Sequence, residues 1–257
     1  MRHARALHLC ASHTALPCFR FDPELDVFLA PRLRAGGTHV PMAAHETLKH
    51  AIEALGVPHT EIGDVRVNGR PAALTSPAGA EHDQVEVSAA APVTEAVPRF
   101  VADVHLARLA RHLRFAGFDT VHHDGMPDAG IAALAAREHR IVLTRDRALL
   151  MHRSIERGCY VRPLDPVAQL AQVARRFRLD LAGAAPGRCL LCNAVLQPVP
   201  PPEARPHVPA GAWAAFDRFW RCPACARTYW RGSHWRRMRA TQDRAAALAG
   251  CAALSGG

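Results

Sequence analysis

Apolar and polar positions follow two different rhythms along this chain, and the change falls near residue 98. Before it, "VFLAPRL" and "GTHVPM" predict strands and "HETLKHAIEALG" predicts a helix closed by Gly56. "DVRVNGRPA" predicts two short strands around Asn68-Gly69, a pair that favours a type I′ hairpin turn, and the alternating "DQVEVSA" predicts a last strand. The expected order is strand, strand, helix, strand, strand.

After residue 98 a different unit repeats: apolar strand, acidic residue, amphipathic helix. "RFVAD" leads into "VHLARLARHLRFAG", where Leu106, Leu109, Ala110 and Leu113 recur at helical spacing. Arg108, Arg111 and Arg114 fall mostly off that stripe, and Gly117 closes the helix. "FDTVHH", "HRIVLT" and "CYVRPL" are likewise followed by "DGMPDAGIAALAAREH", "RDRALLMHRSIERG" and "DPVAQLAQVARRF", the last with Pro166 suited to a first helical position. Strands alternating with helices predict a parallel sheet covered on both faces.

Between the two rhythms, "SAAAPVTEAVP" is poor in core formers and reads as a linker; "LAGAAPGR" marks a second break, and "AAALAGCAALSGG" reads as a poorly ordered tail. These breaks predict an N-terminal tail over 1–20, domains over 21–90, 99–185 and 186–240, a linker over 91–98 and a tail over 241–257. No run approaches the ~18 apolar residues of a membrane span, and His3 and His8 interrupt the N-terminal apolar segment, unlike a signal peptide. A cytoplasmic chain with no membrane partner is expected.

Charge divides along the same boundary. The net charge of +9 splits into −3 over 1–98, from eight Lys/Arg against eleven Asp/Glu, and +12 over 99–240, from twenty-three Arg against eleven acids. A basic excess confined to one part is the footprint of a phosphate-rich partner. Replacement of Lys by Arg through coding bias explains the single lysine, Lys49, but not the asymmetry.

Within the parallel sheet, all strand C-termini share one edge, and ligands bind where the strand order reverses. Asp103, Asp146 and Asp165 directly follow strands, and Asp124 and Asp128 lie in the longer loop after the second. Each of Asp103, Asp128, Asp146 and Asp165 also precedes a helix, where capping is the ordinary role of Asp. Several carboxylates on one edge repel unless protonated or bridged by a cation, and hard oxygen ligands suit Mg²⁺ or Mn²⁺. His122 and His123, adjacent on a strand, point to opposite faces and read as incidental.

Cys189-x-x-Cys192 and Cys222-x-x-Cys225 have the spacing of two knuckles giving four thiolates to one ion. Structural Zn²⁺ is expected, with iron using the same ligands as the alternative, and Cys10, Cys18, Cys159 and Cys251 are expected to be free thiols. All four tryptophans and seven of fifteen aromatics lie between Trp213 and Trp235, interleaved with arginines. Phe216, Trp220 and Tyr229 are expected in a small core, and exposed Trp230 or Trp235 as base-stacking contacts.

The segment "LKHAIEALGVPHTEIGDVRVNGRPA" resembles the ubiquitin-like β-grasp domain fused ahead of the Mut7-C nuclease. "FVADVHLARLARHLRFAGFDT", "IVLTRDRALL" and the cysteine pairs resemble the Mut7-C RNase domain itself. The resemblance implies an α/β protein: an N-terminal ubiquitin-like β-grasp, a PIN-like parallel α/β sandwich, and a C-terminal zinc ribbon. It further implies divalent-metal-dependent RNA cleavage with Asp103, Asp128 and Asp146 as the acids; "DGMPDAG" stands where a more acidic stretch is expected, and Asp124 is the alternative to Asp128 there. Arg108, Arg111 and Arg145 are candidates for RNA or scissile-phosphate contact, and "RGSHW" resembles a closing motif whose His234 reaches toward the site. RNA is the expected partner, with a protein partner for the ubiquitin-like segment. The rival readings are a noncatalytic RNA- or ribosome-binding protein and, from the terminal Gly256-Gly257, a sulfur carrier.

Overall fold

The structure, a computed structural model, describes residues 16–34, 37–39, 46–78, 80, 82–94, 97–182 and 187–250. Cys10, Cys251 and the Gly256-Gly257 pair lie outside these residues. The chain divides into two units, Met1–Ala91 with Asp146–Arg153, and Pro92–Arg145 with Ser154–Gly257.

The first unit contains β1 (Cys18–Phe21), β2 (Thr38–His39), α1 (Leu48–Ala54), β3 (Ile62–Val67), β4 (Arg70–Ala72) and β5 (Gln84–Ala89). Its five strands are ordered β2-β1-β5-β3-β4, with β1 parallel to β5 and the other pairs antiparallel. Leu48, Ala51 and Ile52 of α1 are buried, in a unit that also buries Phe19, Leu25, Val57, Val65, Val85 and Val87. Asn68 and Gly69 have φ of 51° and 75°, the two left-handed positions that a type I′ turn requires.

Two expectations are corrected here. "VFLAPRL" forms no strand: Pro23 and Pro31 instead begin the 3₁₀ turns Pro23–Leu25 and Pro31–Leu33, because proline fixes φ and cannot donate to a ladder. The first strand lies upstream at Cys18–Phe21, across the expected boundary between tail and domain, and Cys18 is disulfide-bonded rather than free.

The second unit begins with β6 (Arg99–Ala102), α2 (Ala107–Phe115), β7 (Asp119–Val121), α3 (Asp128–Glu138) and β8 (Ile141–Thr144). The short α4 (Arg147–Leu150) belongs with the first unit, where Arg147 Nη1 donates to the Phe28 carbonyl at 3.0 Å. β9 (Gly158–Tyr160) and α5 (Pro166–Phe177) complete a layer of four parallel strands ordered β7-β6-β8-β9. Phe100, Ala102, Ile141 and Leu143 share one core with Leu106, Leu109 and Leu113 near and on α2 and with Leu170, Val173 and Phe177 of α5. Val101 and Val142 alternate to the opposite face and are equally buried, which is why these strands are apolar throughout.

The C-terminal part contains β10 (Gln197–Val199), α6 (Pro201–Ala204), α7 (Ala210–Ala215), β11 (Phe219–Arg221), β12 (Thr228–Trp230) and α8 (Ser233–Ala249). β10, β11 and β12 form a small antiparallel sheet in that order. The expected tail is helical up to Ala249. Met238, Gln242, Ala245 and Ala249 recur at helical spacing and are buried, Ala245 and Ala249 in the core shared with α5, and Gly250 ends the helix at φ 69°. An alanine-rich run with a single leucine looks unstructured until a neighbouring helix covers it.

Candidate functional site

The strand order reverses between β6 and β8. From β6 the chain passes through α2 to β7 on one side; after β8 it continues to β9 on the other, and sheets of this kind bind ligands at the C-terminal ends of the strands flanking such a reversal. Asp103 stands there, 5% exposed, its N–H donating to the Leu143 carbonyl at 3.0 Å. Its Oδ1 accepts from His105 N at 2.9 Å, and its Oδ2 accepts from the Thr144 hydroxyl and from Arg145 N at 3.0 Å. It therefore caps a 3₁₀ turn and is also tied to the adjacent strand. Register pairs Ala102 with Leu143, so Asp103 comes level with Thr144.

The other candidates are placed as follows. Asp146 is exposed and caps α4, with Oδ1 accepting from Ala148 N at 2.7 Å. Asp165 caps α5, accepting from Ala168 N at 3.0 Å. Asp128 does not cap α3: Pro127 holds that position, and Asp128 is exposed in the first turn, a favourable place for a negative charge. Asp124 is exposed in the preceding turn. Arg145 donates from Nη1 to the Pro163 carbonyl at 2.7 Å. Among the described residues, these aspartates form no group of three or more ligands within 4.8 Å of one another. Carboxylate oxygens are the donor type that Mg²⁺ takes, through one or two of them with waters retained.

The opposite edge of the sheet carries a structural ion cluster. Asp119 accepts from Arg140 Nη1 at 2.7 Å and from Asn193 Nδ2 at 2.7 Å, while Arg140 Nε reaches Glu138 at 2.8 Å. Burial pushes the Asp119 carboxyl up, but the hydrogen bonds from Arg140 and Asn193 outweigh it and hold the group below its ordinary value.

Cys189, Cys192, Cys222 and Cys225 converge, their sulfurs all within 4.8 Å of one another. The two knuckles are built alike: Cys189 N–H donates to Ala194 O and Asn193 N–H to Cys189 O, while Cys222 N–H donates to Arg227 O and Ala226 N–H to Cys222 O. Asn193 and Ala226 sit at φ 69° and 59°, turning each loop back over its sulfurs. Thiolates ~2.3 Å from a tetrahedral ion stand about 3.8 Å apart, so the four residues fit a metal ion such as zinc. Burial pushes the Cys189 thiol up, yet hydrogen bonding from Tyr229 and from backbone N–H groups brings it to about 6. Burial and the neighbouring thiols push Cys192 up to about 12. Crowded thiols of this kind ionise together only around a cation.

Arg114 fastens this cluster to the sheet. It is 4% exposed and donates from Nε to Thr120 O at 2.8 Å and from Nη1 to Leu190 O at 3.0 Å and Leu191 O at 2.9 Å. Nearby, a Cβ on Gly187 would stand 2.4 Å from Gly117 Cα, so the chain entering the first knuckle crosses the end of α2 where only glycine fits.

A cavity of about 880 Å³ opens beside α2, the knuckles and the start of α8. It is lined by Arg108, Arg111, Arg188 and Arg227, by His112, His207 and His234, and by Phe115, Trp230 and Trp235, with no Asp or Glu. Arg108, Arg111 and His234 are therefore brought together, whereas Arg145 does not line the cavity. Trp230 and Trp235 are half-buried rather than exposed, Trp235 lying 6.0 Å from the Phe115 ring. Trp220 and Tyr229 pack on the cysteine core as expected. Burial and then the charge of His234 hold His112 below its ordinary value.

A family model described as Mut7-C RNAse domain matches residues 98–242, more than half of the 257 residues, and one described as Mut7-C ubiquitin matches 15–96. The chain belongs to the Mut7-C RNAse domain family. No curated protein and no solved structure matches it. Among the described residues of this Mut7-C protein, no helix is long and apolar enough to cross a membrane.

Several residues around Asp103 and the cavity in this Mut7-C protein are not among those singled out by the sequence pattern. Thr144 was signalled only as a polar residue ending an apolar strand, yet it is fully buried against Asp103. His112 lies one helical turn after Arg108 on the face left open by the apolar stripe, a signal available in the spacing. Arg188, Arg227 and His207 come from the C-terminal part, and only folding brings them to α2.

Proposed function

We propose that this chain hydrolyses RNA phosphodiester bonds, using Asp103, Asp128 and Asp146 as catalytic acids and Asp124 as a further ligand for Mg²⁺ or Mn²⁺. The observation that supports it is Asp103 anchored at the reversal of strand order. When bound, the divalent ion supplies an activated water and neutralises charge developing on phosphate. The chain's own contribution is orientation: the Thr144 hydroxyl and Arg145 N–H hold the Asp103 carboxylate against rotation, while Asp146, Asp124 and Asp128 offer exposed oxygens. Within this reading the ubiquitin-like domain, about residues 21–90, docks a protein partner, the zinc-ribbon part covers 186–240, and the basic excess draws in the polyanion.

A noncatalytic RNA-binding role is the second reading, favoured by one observation: both oxygens of Asp103 already accept hydrogen bonds within the protein. Hydrolysis of labelled single-stranded and structured RNA with Mg²⁺ or Mn²⁺ separates the two. Asp103→Asn and Asp146→Asn should each abolish turnover; the second leaves the cap of α4 intact, because Asn caps as well as Asp. Cleavage that survives both substitutions overturns the proposed site. Salt-sensitive RNA affinity with no turnover in the unaltered chain supports the binder.

A further inference from the structure

We propose that the cavity beside α2 is a nucleotide subsite that takes one unstacked nucleotide of single-stranded RNA, its phosphate on Arg108, Arg111 and His234 and its base against the indoles of Trp230 and Trp235. The inference rests on RNA being the substrate and names the form in which it is read.

Three observations carry it. The lining combines four guanidinium groups and three imidazoles with no carboxylate, a charge balance that suits an anion and nothing cationic. Half-buried Trp230 and Trp235 supply apolar faces at the same place, the pairing of charge with aromatic surface by which single-stranded nucleic acid is held. His112 Nδ1, Thr228 Oγ1 and Trp235 Nε1 are buried side-chain atoms with no hydrogen-bond partner, and all three residues line this cavity. Buried polar groups are ordinarily paired, and a base edge, ribose or phosphate offers the matching donors and acceptors.

Size and position narrow the ligand. A volume of about 880 Å³ lies within the roughly 300–1,000 Å³ of small-ligand sites, enough for a nucleotide, whereas a duplex keeps its bases stacked inside and cannot present one to an indole. Arg108 occupies the first turn of α2, which directly follows the turn that Asp103 caps, so subsite and acid are carried by consecutive elements of the chain.

The test uses the full metal-loaded chain without added Mg²⁺ or Mn²⁺, titrated calorimetrically with 5′-AMP, adenosine, a single-stranded oligoadenylate and a duplex of equal length. AMP should bind at least about tenfold tighter than adenosine, and the single strand tighter than the duplex. Arg108→Ala with Arg111→Ala, both exposed side chains, should lose at least about tenfold in AMP affinity while retaining circular dichroism and metal content. His112→Gln offers a second variant, and AMP should shift the His112 imidazole signals in NMR spectra. Equal binding of AMP and adenosine, or an unchanged affinity in the double variant, overturns the subsite. RNA cleavage with no AMP binding removes the subsite alone; AMP binding with no cleavage removes the hydrolase reading alone.

Discussion

Replacing Arg114 with Met keeps the apolar stem and removes the guanidinium that joins sheet to knuckle. Four carbonyls, of Thr120, Leu190, Leu191 and His122, lose donors at 2.8, 3.0, 2.9 and 3.5 Å in a site where Arg114 is 4% exposed. Each buried group left unpaired costs about 1–3 kcal/mol, and local relaxation recovers part of the sum, so a loss of about 3–5 kcal/mol is expected. Against a total stability of ~5–15 kcal/mol that is a large fraction. Because the lost bonds also orient the first knuckle, affinity for the structural metal should fall by about 10–100-fold. All four tryptophans lie in 213–235, so their fluorescence during urea unfolding follows the second unit alone, and competition with a chelator measures the metal. Arg114→Lys, which keeps charge but not the planar fork, should recover only part of the loss. A change below about 1 kcal/mol in Arg114→Met, or full recovery in Arg114→Lys, would refute this account of how the two layers are joined.

Metal analysis should find about one tightly held Zn or Fe per chain, lost when Cys189 and Cys222 are both changed to Ser; retention of the ion would mean that the four sulfurs do not hold it. The Asp119 carboxyl is depressed in the folded state, so its stabilisation is present above its unfolded value of ~3.9 and is lost as pH falls through the folded value. Asp119→Asn should therefore remove part of the acid dependence of the urea midpoint between about pH 5 and 2, and parallel curves for the two proteins would contradict it. Ending the chain after Ala240 removes Ala245 and Ala249 from the core and the Gln242 bond to His112 O, and should destabilise the second unit by about 2–4 kcal/mol in the same unfolding assay; an unchanged midpoint would restore the view of this segment as a tail.

Much of the fold is written in local pattern. The parallel layer follows from apolar runs alternating with helical stripes, and in the first unit Asn68-Gly69 marks the turn between β3 and β4 because few residues accept two left-handed positions. The cysteine site is equally legible, since two short spacings fix two knuckles wherever the intervening chain goes. "VFLAPRL" misleads because apolar content alone does not exclude a proline-started turn, and "QDRAAALAG" misleads because alanine gains its burial only from a partner helix.

Charge divides in the same way between what is local and what is not. The sequence alone determined that arginine would crowd residues 99–240, that Asp103 and Asp146 would each follow a strand on one sheet edge, and that two cysteine pairs would have metal-knuckle spacing. Only the tertiary structure decided which arginine does what. Arg114, in the same helix as Arg108 and Arg111, is buried and bonded to backbone carbonyls, while those two line an open cavity with His112, His234 and two indoles. Helical periodicity sets the angle at which a side chain leaves its own helix; what stands in that direction is settled by chain arriving from some eighty to one hundred and twenty residues away.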